Sequence, residues 1–284
     1  MSVTPITTGT AAYAHRPDLV AFAAEDVIPD ALPLVVGTVV ANVQGDAVAA
    51  RVPYVKDDAA AFIAEGAEIP LSDPELAEAV IYTGKVAQLV PMSREQFNKI
   101  GTSGLIANSV QRAIVTKANT AFLNQVAPTA PAVTPPRGIL TTTGLVPGGA
   151  VAGDLDVLVD LVATLQENGA TPSHILLAPD AWAEIRKLKT GSTLNSTLLG
   201  AGTDDAAPRL LGIPVIVDKA MTTLTGAVID RAEVLVAAGQ VEVADSEHAL
   251  FTRDSVLLRA TWRFGATIMR PDRIGTFTVT PPTP

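Results

Sequence analysis

The sequence predicts an α+β fold with a flat, plate-shaped main domain. From Ser255 to Ile268 apolar and polar residues alternate almost without a break, which indicates a strand of roughly 45 Å at about 3.3 Å per residue. Residues 105 to 125 carry apolar side chains at three- and four-residue steps, which predicts a helix of roughly 30 Å. Between them, residues 153 to 237 alternate helical and strand patterns. A long strand beside a long helix favours a plate over a sphere.

The composition favours a subunit with large interfaces. Charged residues make up only 17% of the 284 positions, below the usual quarter, although an Ala-rich genome would give a similar bias. The net charge is −9 and no run of Lys or Arg occurs, so a basic surface that grips nucleic acid is not predicted. An acidic wall can nevertheless enclose DNA. The absence of cysteine excludes disulfides, thiol nucleophiles and cysteine metal sites.

The N-terminal region predicts an extended arm. Four prolines lie within residues 1–33 and no sustained period appears there, except for a short helix near Leu19 to Ala24. No charged segment followed by an apolar stretch marks a signal peptide. The longest apolar segment, Ala31 to Val43, is too short and interrupted to span a bilayer. We therefore expect a soluble protein that is made in the cytoplasm and contacts no membrane.

Two alternating runs predict a β-ribbon. Val48 to Val55 alternates as a strand does, and Ala77 to Val90 forms a second run with residues 80, 82, 84 and 86 on one face. The connecting residues 57–76 form a loop of a length that is unusual inside a compact domain unless it is functional. Because a two-stranded ribbon is marginal alone in water, it either folds back on its own subunit or lies across a neighbour.

The helical patterns start and stop at recognisable signals. Ser93 to Gln96 is a capping-box pattern that opens a short helix, broken near Gly101 and Gly104. Ser103 can then cap the long helix, Leu105 to Gln125, which ends at the segment APTAPAVTPPRG.

The αβ segment follows a glycine-rich connector, Val146 to Gly153, and contains a polar loop, residues 190–208, that we expect to be mobile. The first expected element is a helix that Asp154 caps and Asn168-Gly169 ends, with one apolar face formed by Leu155, Leu158, Val159, Val162 and Leu165. A strand from His174 to Leu177 follows, and then a helix that Pro179-Asp180 opens and that carries Trp182, Ile185 and Leu188. The last expected elements are strands at Ile213–Val217 and Ala227–Ile229.

No pattern of catalytic residues holds up in the sequence. The step Gly84-Lys85 lacks the glycine and hydroxyl positions of a phosphate-binding loop. The glycines at 101 and 104 are spaced one residue short of a nucleophile elbow. None of the three histidines has a partner at metal-ligand spacing, and His174 is interpreted as structural. No enzyme activity, cofactor or metal is therefore predicted.

Several segments together resemble the major capsid family of tailed bacteriophages with the Hong Kong 97 fold, which encapsulin shells share. No single motif is specific, but their order and spacing cover most of the chain, from about Arg51 to Thr280. The segments that carry the resemblance are FIAEGAEIPLSDPEL before LVPMSREQF, AFLNQ before PRGIL, HILLAPDAWAEIRKLK, LLGIPVIV and RFGATIMRPDRIGTFT.

The resemblance implies a division of the chain and a function. It implies a non-enzymatic subunit that assembles with itself, as hexamers and pentamers, into an icosahedral virion shell enclosing double-stranded DNA without sequence-specific binding. A portal is implied as a further partner. The implied regions are an N-terminal arm (1–47), an E-loop hairpin (48–84), a P-domain with a spine helix (85–152 and 238–284) and an A-domain (153–237), whose loop 190–208 lies near the capsomer axis.

Some members of this family weld their shells with an isopeptide bond between an E-loop Lys and a P-domain Asn, assisted by a Glu. Here Glu65-Gly66 stands where the Lys is expected, Asp254 at the Asn position and Thr261 near the Glu, so cross-linking is not expected. The 47 residues before the ribbon are too few for the scaffolding segment of such relatives, which implies a separate scaffolding protein or assembly without one.

Charge pairing between copies is a further expectation. Glu65 and Glu68 lie at the ribbon tip, and a row of arginines lies on or beside the long C-terminal strand. A ribbon that reaches a neighbour could place those carboxylates against the guanidinium groups, although solvated charges are the alternative. The arginines are Arg259, Arg263, Arg270 and Arg273.

Two alternatives remain open at this point. An encapsulin-type compartment has the same fold but encloses an enzyme, and its N-terminal helix contrasts with the irregular pattern of residues 1–33 here. A soluble αβ enzyme with an unrecognised site would elute as a small oligomer under all conditions.

Overall fold

A computed structural model describes residues 19–56, 75–97, 102–189 and 208–281. The ribbon tip with Glu65 and Glu68, and the expected mobile loop, lie outside these residues. The helices are α1 (Ala24–Val27), α2 (Leu32–Val36), α3 (Arg94–Phe97), α4 (Thr102–Asn124), α5 (Asp156–Glu167) and α6 (Pro179–Lys187). The strands are β1 (Leu19–Phe22), β2 (Thr38–Val43), β3 (Ala49–Lys56), β4 (Glu75–Tyr82), β5 (Gly84–Ser93), β6 (Val146–Val151), β7 (His174–Leu177), β8 (Arg209–Leu210), β9 (Ile213–Val217), β10 (Thr225–Ile229), β11 (Val234–Leu250), β12 (Ser255–Ile268) and β13 (Gly275–Val279).

A five-stranded sheet built on two long antiparallel strands forms the plate. β11 has 17 residues and β12 has 14, and β5 pairs with β12 on the far side. β12 has the predicted bounds, and Trp262 at its centre is fully buried, stacks on Phe264 at 4.6 Å between ring centroids and donates its indole N–H to the Gly239 carbonyl at 3.0 Å. The register of β11 against β12 shifts next to Gly239, which frees that carbonyl from the ladder for the indole.

α4 packs across β5 and β12 through apolar residues at four-residue spacing, which include the buried Val110, Ile114 and Phe122. It begins at Thr102, three residues before the predicted start, because Ser103 and Gly104 continue the helix instead of capping and breaking it. Helix α3 forms at the predicted capping-box segment.

The N-terminal segment is folded onto the plate from residue 19 onward. Instead of a helix near Leu19 to Ala24, β1 pairs antiparallel with β11, and β2 pairs parallel with the same edge. The buried Asn119 of α4 accepts a hydrogen bond from the Leu32 amide at 2.9 Å and donates one to Asp218 at 2.8 Å. This single side chain therefore joins α2, α4 and the turn after β9, which explains why so short a helix is stable here.

A six-stranded sheet in the order β6-β13-β10-β7-β9-β8 forms the second layer, with α5 over β6 and β13. The predicted glycine-rich connector is in fact strand β6, paired parallel with β13. Gly148 permits this because a Cβ there would lie 2.5 Å from a Leu161 methyl carbon. On α5 the buried residues are Leu158, Leu161 and Leu165, whereas Val159 is 47% exposed, so the predicted core face is rotated by part of a turn.

The predicted second run of the ribbon is two strands in two different sheets. β4 pairs with β3, and β5 pairs with β12. Thr83 marks the change: it is fully buried, its amide donates to the Val48 carbonyl at 2.8 Å and its hydroxyl to the Ala47 carbonyl at 2.6 Å. Tyr82 is consequently exposed, whereas Gly84 and Val86 belong to the sheet of the plate.

Candidate assembly surfaces

The ribbon of β3 and β4 is anchored to the body at its root. Ile81 is fully buried in a small apolar cluster with Val43, Leu235 and Ala237, separate from the main core. Gly265 on β12 allows this close approach, because a Cβ there would lie 2.0 Å from the Tyr82 carbonyl oxygen. Of the two predicted alternatives, the root of the ribbon therefore follows the first, because it packs on its own subunit.

Beyond the root, the two strands continue out to the pair Lys56–Glu75. An ion pair between them joins Arg51 and Glu78 at 3.3 Å, with both side chains more than half exposed. Such a pair contributes little in water. The described outer part of the ribbon is thus held mainly by its own ladder, which is marginal without a further partner.

A polar cluster joins the root of the ribbon to the plate. Arg263 on β12 donates to the Thr83 hydroxyl at 3.1 Å and lies 3.3 Å from Asp46 in the turn between β2 and β3. Lys85 on β5 lies 2.7 Å from the same Asp46 oxygen. The hydrogen bond and charge of Lys85, with a smaller contribution from Arg263, lower the pKa of Asp46 below its usual value. Arg263 is 15% exposed and serves its own subunit here.

Arg270 and Arg273 also have an intrachain acidic partner. Glu233 is nearly buried, and its carboxylate lies 2.7 Å from Arg273 and 3.6 Å from Arg270. Arg273 further donates to the Asn168 carbonyl at the end of α5 at 3.0 Å. The group joins the start of β11, the turn after β12 and α5, so it ties the two sheets together. A buried carboxylate that is paired with a guanidinium avoids most of the cost of burying a charge.

Arg259 is the predicted contact residue that stays open. It is exposed on β12 and makes no ion pair with any described residue. Of the four arginines, it is therefore the one whose guanidinium remains available to a neighbouring copy. Whether it meets Glu65 or Glu68 stays a prediction.

The positions compared with the cross-linking residues have other contacts here. Asp254 is exposed and pairs with Arg94 at 3.0 Å. Thr261 is nearly buried and donates to the Glu242 carboxylate on the adjacent strand at 3.4 Å. The expected absence of cross-linking stays a prediction.

An apolar groove of about 260 Å³ lies between the ribbon root and the proline-rich segment after α4. Its walls include Val80 and Tyr82 from β4, which are 37% and 42% exposed, and Ala266 from β12. Val126, which is 73% exposed, directly precedes the proline-rich segment. Clustered exposed apolar residues are typical of surfaces that are covered in an assembly.

His174, interpreted as structural from the sequence, contacts a neighbouring hydroxyl group. Its Nδ1 lies 3.0 Å from the Ser173 hydroxyl, which also accepts a hydrogen bond from the Arg231 amide. Burial, with a smaller contribution from the charge of Arg231, lowers the pKa of His174. Among the described residues no group of His, Asp and Glu could hold a metal ion, and no helix is long and apolar enough to cross a membrane.

The comparisons with known proteins address the whole chain. The model of the phage capsid family matches residues 35–279. The chain belongs to the phage capsid family. It is accordingly a major capsid protein, a subunit of which many copies form an icosahedral shell.

Solved capsid structures share the fold of this capsid protein at low sequence identity. The capsid of the native GTA particle matches with a TM-score of 0.68 and 20% identity, covering 98% of this chain and 95% of that one. Chains from Gordonia phage Cozz (TM-score 0.67, 15% identity, 99% and 98% covered) and Microbacterium phage Oxtober96 (0.66, 15%, 97% and 96%) match similarly. No curated protein sequence matches the chain.

Proposed function

We propose that this capsid protein is a non-enzymatic subunit that forms hexamers and pentamers, and that its shell encloses the double-stranded DNA genome of a tailed phage. The observation that carries the proposal is the family match across residues 35–279, together with a ribbon that extends from the plate. A separate scaffolding protein and a portal complete the proposed partners. Electron microscopy of purified shells tests the proposal, since DNA-filled particles support it and shells filled with an enzyme contradict it.

The proposed regions are the arm 1–47, the E-loop 48–84, the P-domain 85–152 and 238–284, and the A-domain 153–237. The plate of β5, β11, β12 and α4 corresponds to the proposed P-domain. The second sheet recruits β6 and β13 from outside residues 153–237, so the proposed A-domain shares this layer with both flanking segments.

The E-loop is proposed to act between subunits. Deleting Asp58 to Leu76 leaves Tyr54 opposite Ala77 with three connecting residues, 55–57, a loop length common in hairpins. The anchored root is kept, so the shortened subunit should fold and stay soluble while shells no longer form. Normal yields of shells from this variant would refute an intersubunit role.

Charge pairing between copies is proposed for Glu65 and Glu68 with Arg259. Reversing both glutamates to Lys should impair assembly or make it salt-sensitive, and Arg259→Glu in the same protein should partly restore it. Arg263→Glu is the matched control: it should not restore assembly, because Arg263 is engaged with Asp46 and Thr83 of its own chain. Full assembly of the double Lys variant at low salt would show that the pairing is not needed.

The shell is proposed to mature without covalent cross-links. By the resemblance, Glu65-Gly66, Asp254 and Thr261 stand at the positions where cross-linking relatives carry the reactive Lys, the Asn and the assisting Glu. Particles boiled in denaturant should run as a single band at the mass of one 284-residue chain, and a ladder of higher species would contradict this.

A further inference from the structure

The open face of α4 carries a groove of about 730 Å³ with an excess of positive charge. Its walls contain Arg112 and Lys117 from α4 and Lys219 from the turn after β9, against one carboxylate, Asp30. The chain as a whole has a net charge of −9. The folding of distant segments therefore creates a local cationic surface that no run in the sequence shows.

The three cations of the groove are available to a ligand. All three are exposed, and none forms an ion pair within the described residues, whereas other cations such as Arg51, Lys85 and Lys187 do. The remaining polar walls are uncharged and come from one helix face; they are Asn108, Gln111, Thr116 and Thr120. Cations interspersed with amide and hydroxyl groups are typical of surfaces that contact phosphates without reading sequence.

The dimensions fit a nucleic-acid backbone. Arg112 and Lys117 are five residues apart, which is about 7.5 Å along the helix axis. Phosphates on one strand of duplex DNA are spaced at about 3.4 Å along its axis. The two side chains lie about 140° apart around the helix and line the same groove, so they can contact separate phosphates of the backbone. α4 has 23 residues and is thus roughly 34 Å long, about one turn of duplex DNA.

We propose that this groove, formed by Arg112, Lys117 and Lys219, contacts the phosphate backbone of the enclosed DNA, so that the α4 face of the plate lines the interior of the shell. The inference rests on the proposed function, since it presupposes a shell that encloses DNA. The contact is electrostatic and independent of the DNA sequence. It lets the subunit bind DNA at a cationic groove although its net charge is negative.

The test measures how the affinity of the unassembled subunit for linear double-stranded DNA depends on the salt concentration. Each phosphate contact contributes about 0.9 to the slope of log K against log salt, so changing all three cations to Gln should reduce the slope by up to about 2.7. Between 50 and 200 mM salt, wild-type protein should then lose roughly 40-fold more affinity than the variant. The matched control changes Arg137, Arg186 and Arg253, which are exposed outside the groove, and should leave the slope unchanged. Asp30→Asn should strengthen binding.

Three outcomes would overturn the proposal. They are an unchanged slope in the groove variant, an equal change in the control variant, and a groove variant that folds but no longer forms shells. The last result would assign the groove to a protein contact, with another subunit or a scaffolding protein. If the groove variant shows an unchanged slope and its shells assemble and package DNA normally, only the role of the groove is rejected. The failure of this inference is therefore distinguishable from failure of the proposed function.

Discussion

Replacing Ile81 with Ala tests whether the ribbon root is held by its own subunit. Ile81 is fully buried among Val43, Leu235 and Ala237, whereas its neighbour Val80 is 37% exposed on the opposite face of the ribbon. The substitution removes three carbon atoms at about 0.8 kcal/mol each, and the cavity that remains adds a further cost. We expect the free energy of unfolding to fall by about 3 to 4 kcal/mol.

Urea denaturation of the unassembled subunit, followed by the fluorescence of Trp182 and Trp262, measures this change. With a slope of about 3 kcal/mol per M, the midpoint should fall by about 1 M. Val80→Ala is the matched control and should change stability by only about 1 kcal/mol, because it removes two carbons from a side chain that is 37% exposed. Equal effects of the two substitutions, or a negligible effect of Ile81→Ala, would show that the root is not packed as described.

Three further predictions concern other contacts. Gly265→Ala should destabilise the subunit by about 1 to 3 kcal/mol in thermal denaturation, because the new Cβ meets the Tyr82 carbonyl; unchanged melting would contradict the close approach. Glu233→Ala should cost about 3 kcal/mol or more by leaving Arg273 without its buried partner, and a melting temperature within a degree of wild type would argue against the joint. Because the pKa of His174 is lowered in the folded protein, the unfolded chain binds a proton more readily, and the free energy of unfolding should fall as the pH drops below about 6.5. His174→Gln should make the free energy of unfolding less dependent on pH in this range. An unaltered pH dependence in this variant would exclude His174 as the cause of the loss of stability.

The sequence predicts best those elements that alternate strictly or are bounded by turn residues. The bounds of β12 follow from strict alternation, and β7 and β9 are bounded by turn residues, so all three match the structure. β11 escapes prediction because Val234 to Val236 are buried on both faces and Gly239 interrupts the ladder, which removes the alternating pattern. α2 escapes because its stability comes from tertiary contacts such as that with Asn119, which no local pattern encodes.

The candidate surfaces are less predictable because they depend on partners distant in the sequence. Arg263 and Asp46 are 217 positions apart, and Arg273 and Glu233 are 40 apart. Nothing in the local sequence of an arginine indicates that it will be used within its own chain. The same limit hides the cationic groove, because Lys219 joins Arg112 and Lys117 only through the fold.

Negative-stain electron microscopy of the purified full-length protein tests the central claim most directly. The account predicts closed shells of uniform size that are lost when residues 58–76 are deleted, while the shortened subunit remains folded. A protein that forms only small oligomers under all conditions of salt, pH and concentration would contradict its assignment as a self-assembling capsid subunit.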